Sequence, residues 1–375
     1  MPKIIAFLAD GTWNGINVDS DQDGVPEVTN VLKLFHNLAG DDTIESFALA
    51  DEGERMAMDA NRNVLQIAKY LHGVGDSDNP IIKLLGGAFG AGIISRIVRG
   101  YTFISRNYLP GDRIVIAGFS RGAYTARALG GMIAKAGLMD YARLNITDKE
   151  QAYRCGLYVW AYYREQQQKN LAQRAIDAVW RKVLGIGTEI GQEHMIANVP
   201  IAAIGAWDTV GALGIPIYAS EDRRLDLFRF ADTDLSGLVT NGFHALAIDE
   251  HRADFAPTMW NPRSGIEQVW FAGAHADVGG GYEESGLSDF GLAWMADRVG
   301  RVGLQYKDPL PIVPAGNIAG ELHDSWNALP YRLKPPFMRP IANDATVHVS
   351  VRDRRSALAN YQPGNLLHWA GTYVQ

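Results

Sequence analysis

The stretch DRIVIAGFSRGAYTARALGGM, Asp112 to Met132, constrains this chain more than any other. An apolar, β-branched run, Ile114-Val115-Ile116, ends in Gly118-Phe119-Ser120-Arg121-Gly122, and an alanine-rich segment with helical spacing follows at once. A strand that turns sharply through G-x-S-x-G into a helix is the arrangement of a nucleophile elbow. The turn forces the serine into a strained backbone conformation, and the flanking glycines remove the Cβ atoms that would collide where strand and helix nearly touch. The helix then aims its free N–H groups and positive dipole end at the serine oxygen. The pentapeptide alone is common; the strand before it and the helix after it make Ser120 a candidate nucleophile, with a structural tight turn as the alternative.

The segments on either side supply a sheet around this elbow. Lys3 to Ala9 (KIIAFLA) is a continuous apolar run, which suits a parallel strand covered on both faces. It runs into Asp10-Gly11-Thr12-Trp13-Asn14, a polar turn at the end of the strand where sites in α/β sheets assemble. Backbone N–H groups of Gly11 and Thr12 can complete an oxyanion hole with the N–H of Arg121; a turn capped by Asp10 and Asn14 is the plainer alternative. A haloacid-dehalogenase-type phosphohydrolase would need a second aspartate where Leu8 stands. Asp19 to Gly24 resembles the start of a calcium loop, but Asn30 occupies the position of the bidentate glutamate, which favours a solvated acidic turn. Thr29 is placed to cap a helix reaching about Leu38. Ile44 to Ala50 and Val64 to Tyr70 are candidate strands, and Gly86 to Gly92 reads as a glycine-rich entry to a helix from Ile93 to Tyr108.

After the elbow helix, roughly Gly122 to Ala136, Asp148 to Leu184 is long, helical and aromatic. Residues 140–198 are expected to form an inserted helical cap, its aromatics either lining a site or gluing the cap to the rest. Val199 to Ala206 is the next buried strand and ends at Trp207-Asp208-Thr209. Phe243 to Ile248 follows, then Asp249-Glu250-His251; His244 starts that run instead of ending it. Ile266 to Ala272 delivers Gly273-Ala274-His275-Ala276-Asp277. Leu287 to Val299 is an amphipathic helix, and Ala345 to Val351 a further strand.

A nucleophilic serine needs a base and an acid that fixes the base's tautomer. Ser120, Asp208 and His275 each follow a predicted parallel strand, in the order serine, acid, histidine. His251 is the competitor for the base; Asp249, Glu250 and Asp277 compete for the acid. Asp277 is better placed to brace the glycine loop beside it, and it and Asp10 are candidate supporting residues. A metal-dependent phosphohydrolase using Asp10, Asp208, His275 and Asp277 is a second reading, and a non-catalytic binding module a third.

Composition narrows the partners. Of 375 residues 47% are hydrophobic and 21% charged, enough for one large α/β domain with an insertion, residues 1–375. The net charge of -7 carries no basic block, which argues against nucleic acid. The single cysteine, Cys155, excludes an internal disulfide and reads as a core residue. No export signal follows Met1-Pro2-Lys3, and no window approaches the roughly 18 apolar residues of a membrane span. A cytoplasmic protein is expected, with export that needs no signal peptide as the other route. No cofactor or metal is called for, and oligomeric state is not legible.

The phrases LADGTWN with TNVLKL, GDRIVIAGFSRGAYTARALGGMI, AWDTVGALG, HALAIDEHR with FAPTMW, and AGAHADVGGGY with LSDFGLAWM resemble, in order from Lys3 to Val299, a family of α/β-hydrolases. It is known as domain of unknown function 2235 and includes the catalytic domains of the first class of type VI secretion lipase effectors. The resemblance implies an α/β-hydrolase-like, mostly parallel sheet with helices on both faces. It also implies a Ser-Asp-His serine hydrolase acting on carboxylic esters, phospholipase A-like in the effectors. By motif, GFSRG supplies Ser120, WDTVG Asp208 and HADVGGGY His275. An ester or lipid substrate and peripheral membrane contact follow as expectations.

Overall fold

The structure, a computed structural model, describes residues 2–11, 28–43, 52–72, 80–167, 190–210 and 233–375. Thr12, the acidic turn Asp19–Asp23 and the strand expected at Ile44–Ala50 lie outside the described residues.

In chain order the first elements are β1 (Ile4–Ala9), α1 (Asn30–Asn37), β2 (Asp41–Asp42), β3 (Glu52–Met58), β4 (Val64–Leu71), α2 (Pro80–Asn107), β5 (Arg113–Phe119) and α3 (Arg121–Ala136). Next come β6 (Leu138–Met139), α4 (Tyr141–Leu144), α5 (Lys149–Gln167), β7 (Met195–Ile196), β8 (Ile201–Trp207), β9 (Val239–Ala247) and β10 (Ile266–Phe271). The last are α6 (His275–Gly279), α7 (Ser288–Arg301), β11 (Thr346–His348), α8 (Val349–Ala357) and β12 (Thr372–Val374). One large sheet runs β12-β11-β10-β9-β8-β5-β1-β4-β3-β2, and β6 pairs with β7 apart from it. Every pairing from β4 to β12 is parallel, while β3 and β2 add on antiparallel at the edge.

Strand periodicity decides which side chains meet which helices. In β1, Ile5, Phe7 and Ala9 face a core built with α2, α3 and α5, whereas Ile4, Ala6 and Leu8 face one built with α1 and α7. β5 alternates the same way: Ile114 and Ile116 go to the first core, Val115, Ala117 and Phe119 to the second. Helices on both faces bury both sides, which is why these strands are apolar throughout. A third cluster, with Leu246, Trp270, Val347 and Val351, covers the β10–β12 end. The described part of the 140–198 segment belongs to the first core: Cys155, Leu157, Val159, Trp160 and Tyr163 of α5 pack there with residues of α2 and α3.

Three boundaries differ from the sequence expectation. The glycines of 86–92 lie inside α2 and do not form an entry loop; the helix already starts at Pro80. Glycine costs a helix about 1 kcal/mol, which tertiary packing overrides. At Gly100 of the same helix, a Cβ would stand 2.7 Å from both Leu129 and the Phe7 ring, so the helix seats closely on the sheet and on α3 because that position is bare. The strand expected over Ala345–Val351 stops at His348. There the imidazole Nδ1 accepts from the Ser350 N–H (3.3 Å) and caps α8. His244 lies within β9 instead of starting a strand, because β9 begins at Val239.

Candidate active site

All the candidate groups stand at the C-terminal rim of adjacent parallel strands: Asp10 after β1, Ser120 after β5, Asp208 after β8, and His275 shortly after β10. Ser120 sits between β5 and α3 with φ 57° and ψ −120°, the left-handed side of backbone space that a non-glycine residue avoids. The glycines around it are required by contact. A Cβ on Gly118 would lie 2.3 Å from the Gly122 carbonyl oxygen, and one on Gly122 would lie 2.0 Å from that of Ala9. The turn is pinned by the Ser120 N–H donating to the Trp207 carbonyl at 3.0 Å. The Arg121 N–H, first of α3, adjoins the serine and has no acceptor within the helix.

The histidine is fixed by an acid that is itself fixed. His275 Nδ1 lies 2.6 Å from Asp208 Oδ2. The remaining lone pairs of Asp208 are taken by the Ala247 N–H (3.0 Å to Oδ1) and by both arms of Arg339, at 2.6 Å to Oδ1 and 2.9 Å to Oδ2. Asp208 and Arg339 are fully buried, at 0% side-chain exposure each. Burial alone would raise the Asp208 pKa, but the Arg339 charge and the His275 bond hold it well below the carboxylate range. Asp208 also has positive φ, 41°, so the backbone bends to present this carboxylate. The Nδ1 contact leaves Nε2 as the outward nitrogen. Burial lowers the His275 pKa, with Asp208 opposing, which favours the neutral ring. Phe119, the residue before the serine, lies against that ring (centroids 4.6 Å), and Phe255 meets it edge-on (5.1 Å). Ser120 and His275 are each only 6% exposed. Their side chains do not hydrogen-bond to one another; such contacts often tighten only once substrate is bound.

The other sequence candidates have different employment. The Gly11 N–H donates to Asp10 Oδ1 at 2.7 Å, so it is not available to an oxyanion as expected. The cause is the buried Asp10 carboxylate, which recruits the nearest donors: Gly11, the Thr29 hydroxyl (2.6 Å) and the Tyr70 hydroxyl (2.7 Å). Burial outweighs these bonds and pushes the Asp10 pKa up to about 6. Asp277 braces the loop through the Ala274 N–H (2.9 Å), and it also pairs with His323 at 2.6 Å, a histidine from the weakly patterned tail. His251 faces Asp324 at 3.5 Å and is 38% exposed, away from Asp208. Asp249 accepts from the Gly273 N–H and the Tyr361 hydroxyl, each at 2.8 Å. Glu250 binds Arg252 with both oxygens and takes the His275 N–H at 3.3 Å. His244 Nε2 accepts from the Thr209 N–H at 3.1 Å. The group that sequence reasoning missed is Arg339. It sits in an irregular proline-rich segment 131 residues from its partner, where no periodicity marks it.

No three histidine, cysteine or carboxylate side chains among the described residues gather closely enough to hold a metal ion. Asp208, which a metal reading needs, already has a guanidinium as its cation.

Residues 3–298 match the family described as T6SS, phospholipase effector Tle1-like, catalytic domain. An uncharacterized protein of Saccharomyces cerevisiae is 26% identical over 271 residues, 72% of this chain and 34% of that protein. An uncharacterized protein from Pseudomonas aeruginosa superimposes with a TM-score of 0.44 at 16% identity, over 84% of this chain and 48% of that one. The Tle1 effector bound to the VgrG spike of the type VI secretion system gives 0.39 at 17% identity, over 76% and 52%. The chain thus spans about a third of the yeast relative and about half of each solved chain. With the match running through every element from β1 to α7, the chain belongs to the family of Tle1-like catalytic domains of type VI secretion phospholipase effectors.

Proposed function

We propose that this chain is a serine hydrolase of carboxylic esters, phospholipase A-like, working through Ser120, His275 and Asp208. The observation that carries the reading is the pairing of a serine at φ 57° in a glycine-flanked elbow with an imidazole locked by an ion-paired aspartate on the same sheet rim. Family membership supports hydrolysis of a lipid ester. Exposed Leu329, Leu333 and Met338, on the segment that also carries Tyr331 and Arg339, suit a lipid surface. No helix among the described residues is long and apolar enough to cross a membrane.

In this reading His275 Nε2 takes the Ser120 proton as Oγ attacks the ester carbonyl. The developing oxyanion is held by the Arg121 N–H, with Thr12 as the second donor now that Gly11 is engaged by Asp10. The imidazolium is stabilised by Asp208 and returns its proton to the departing alcohol. Water, activated by the same nitrogen, then frees the acid from the acyl-serine. We read residues 1–375 as one unit, with 140–198 an insertion whose described part packs on α2 and α3.

The test is release of fatty acid from phospholipid vesicles in the presence of EDTA. Ser120→Ala is expected to lower the rate by at least about 10³-fold, and chelation to leave the wild-type rate intact. Activity that survives Ser120→Ala but is abolished by EDTA would sink the serine reading and favour the metal alternative.

A further inference from the structure

The turn that carries His275 is held one backbone N–H at a time. Three successive N–H groups donate to three different buried carboxylates: Gly273 to Asp249 (2.8 Å), Ala274 to Asp277 (2.9 Å) and His275 to Glu250 (3.3 Å). Asp249 and Glu250 lie in the loop after β9 and have partners of their own, the Tyr361 hydroxyl and the Arg252 guanidinium. Asp277 differs because it lies inside the element it holds. It is the third residue of α6, a five-residue helix whose first residue is His275. A helix that short has little stability of its own. The carboxylate reaches back to the Ala274 N–H and closes the first turn. Gly273 gives it room: φ there is +111°, and a Cβ would stand 2.3 Å from that of Asp277.

Asp277 is only 2% exposed, so its remaining lone pairs need donors from elsewhere in the chain. His323 supplies two. Its backbone N–H donates to Oδ2 at 3.0 Å, and its ring Nδ1 lies 2.6 Å from Oδ1. Tyr282 orients that ring, stacked on it at 3.7 Å with 17° between the planes, and the Tyr282 hydroxyl lies 2.8 Å from Ser325 Oγ. Burial pushes the Asp277 pKa up even with these donors in place, and removing one favours the neutral acid further. The Asp277–His323 contact has the length of the Asp208–His275 contact. His323 and Arg339 both belong to the stretch between α7 and β11, so one segment braces the acid of the triad and the turn that bears its base.

We propose that His323 is a positioning residue for the reaction at Ser120. By holding Asp277 it fixes the first turn of α6, and with it the direction of the His275 ring. This rests on the hydrolase reading above. The alternative is a latch that only ties the tail to the domain, and the two differ in what happens to turnover.

Two substitutions separate the hydrogen bond from the packing. His323→Phe keeps a ring against Tyr282 and removes the donor to Asp277. His323→Asn removes the ring and keeps an N–H donor where Nδ1 stood. Turnover of phosphatidylglycerol in mixed micelles is divided by the number of sites that take up a fluorophosphonate, so misfolded protein drops out. His323→Phe should lower kcat per site at least about tenfold with KM within about twofold, and His323→Asn should recover most of the loss. A wild-type kcat in His323→Phe, a change confined to KM, or equal losses in both variants overturns the proposal. Should His323→Phe fail to fold, Tyr282→Leu stands in for it: loosening the His323 ring should cost a smaller part of kcat, and an unchanged kcat overturns the proposal.

The second measurement needs no turnover. The Nδ1 proton shared by His275 and Asp208 gives a downfield resonance in the proton NMR spectrum, assigned by its loss in His275→Gln. Its exchange with water should quicken in His323→Phe and stay as in wild type in His323→Asn. Exchange unchanged in His323→Phe overturns the proposal. Wild-type protein that shows the resonance but cleaves no ester overturns the hydrolase reading instead, and the exchange rate still decides whether His323 positions His275.

Discussion

Arg339 holds the acid of the candidate triad by charge and by shape together. Both oxygens of Asp208 receive an arm of the guanidinium, and the same arms also bond the Ala247 and Phe255 carbonyls at 2.9 and 2.6 Å. Removing one partner of a fully buried pair strands the other. Arg339→Met is therefore expected to cost about 3–5 kcal/mol in chemical denaturation. Any folded fraction should also lose kcat, because the Asp208 carboxylate that sets the His275 tautomer loses its brace; a variant as stable and active as wild type would refute this role. The ring itself makes a pH prediction. Burial lowers the pKa of His275, and only the neutral ring can accept the serine proton. As pH falls, kcat/KM should stay up until the pH drops below the ordinary histidine value of about 6.5. An acid limb with its midpoint at 7 or above would contradict the burial argument. Residue identity alone made neither point legible. Ser120, Asp208 and His275 could be singled out because each closes an apolar run, whereas Arg339 lies among prolines with nothing periodic around it.

At the scale of elements, β1, β5 and α3 meet so closely that two backbone carbonyls occupy the space of absent side chains. Gly122→Ala would put a methyl 2.0 Å from the Ala9 oxygen, and neither strand nor helix can yield cheaply. Destabilisation of about 2–3 kcal/mol is expected, read as a lower melting temperature, with a fall in esterase rate from the displaced elbow. A neutral outcome would mean that the strand–helix contact is looser than drawn. The parallel strands were legible in the sequence because burial on both faces leaves them uniformly apolar. β3 was not. Its sequence EGERMAM has no β-branched residue, and it is held at the antiparallel edge partly by the ion pairs of Lys69 with Glu52 (2.8 Å) and Glu54 (3.0 Å). The start of α2 was misplaced for the converse reason: glycines that weaken a helix in isolation are tolerated in one seated on a sheet. At the β11–α8 junction the valines alternate as in a strand, and a single histidine cap turns the chain into a helix.

Across the whole molecule, one sheet rim collects a strained serine and a braced histidine, and Phe255 lies between the histidine ring and Tyr331. The chain belongs to a family of phospholipase effector catalytic domains and spans a third to a half of the relatives it was matched with. The activity proposed for it therefore has to be shown on this chain itself. A fluorophosphonate probe, with the adduct located by mass spectrometry of peptides, does so at the atom in question. One adduct is expected on Ser120 of the folded protein, and none in His275→Ala. Protein that hydrolyses phospholipid yet carries no adduct on Ser120, or that labels there equally fast without the histidine, would contradict it.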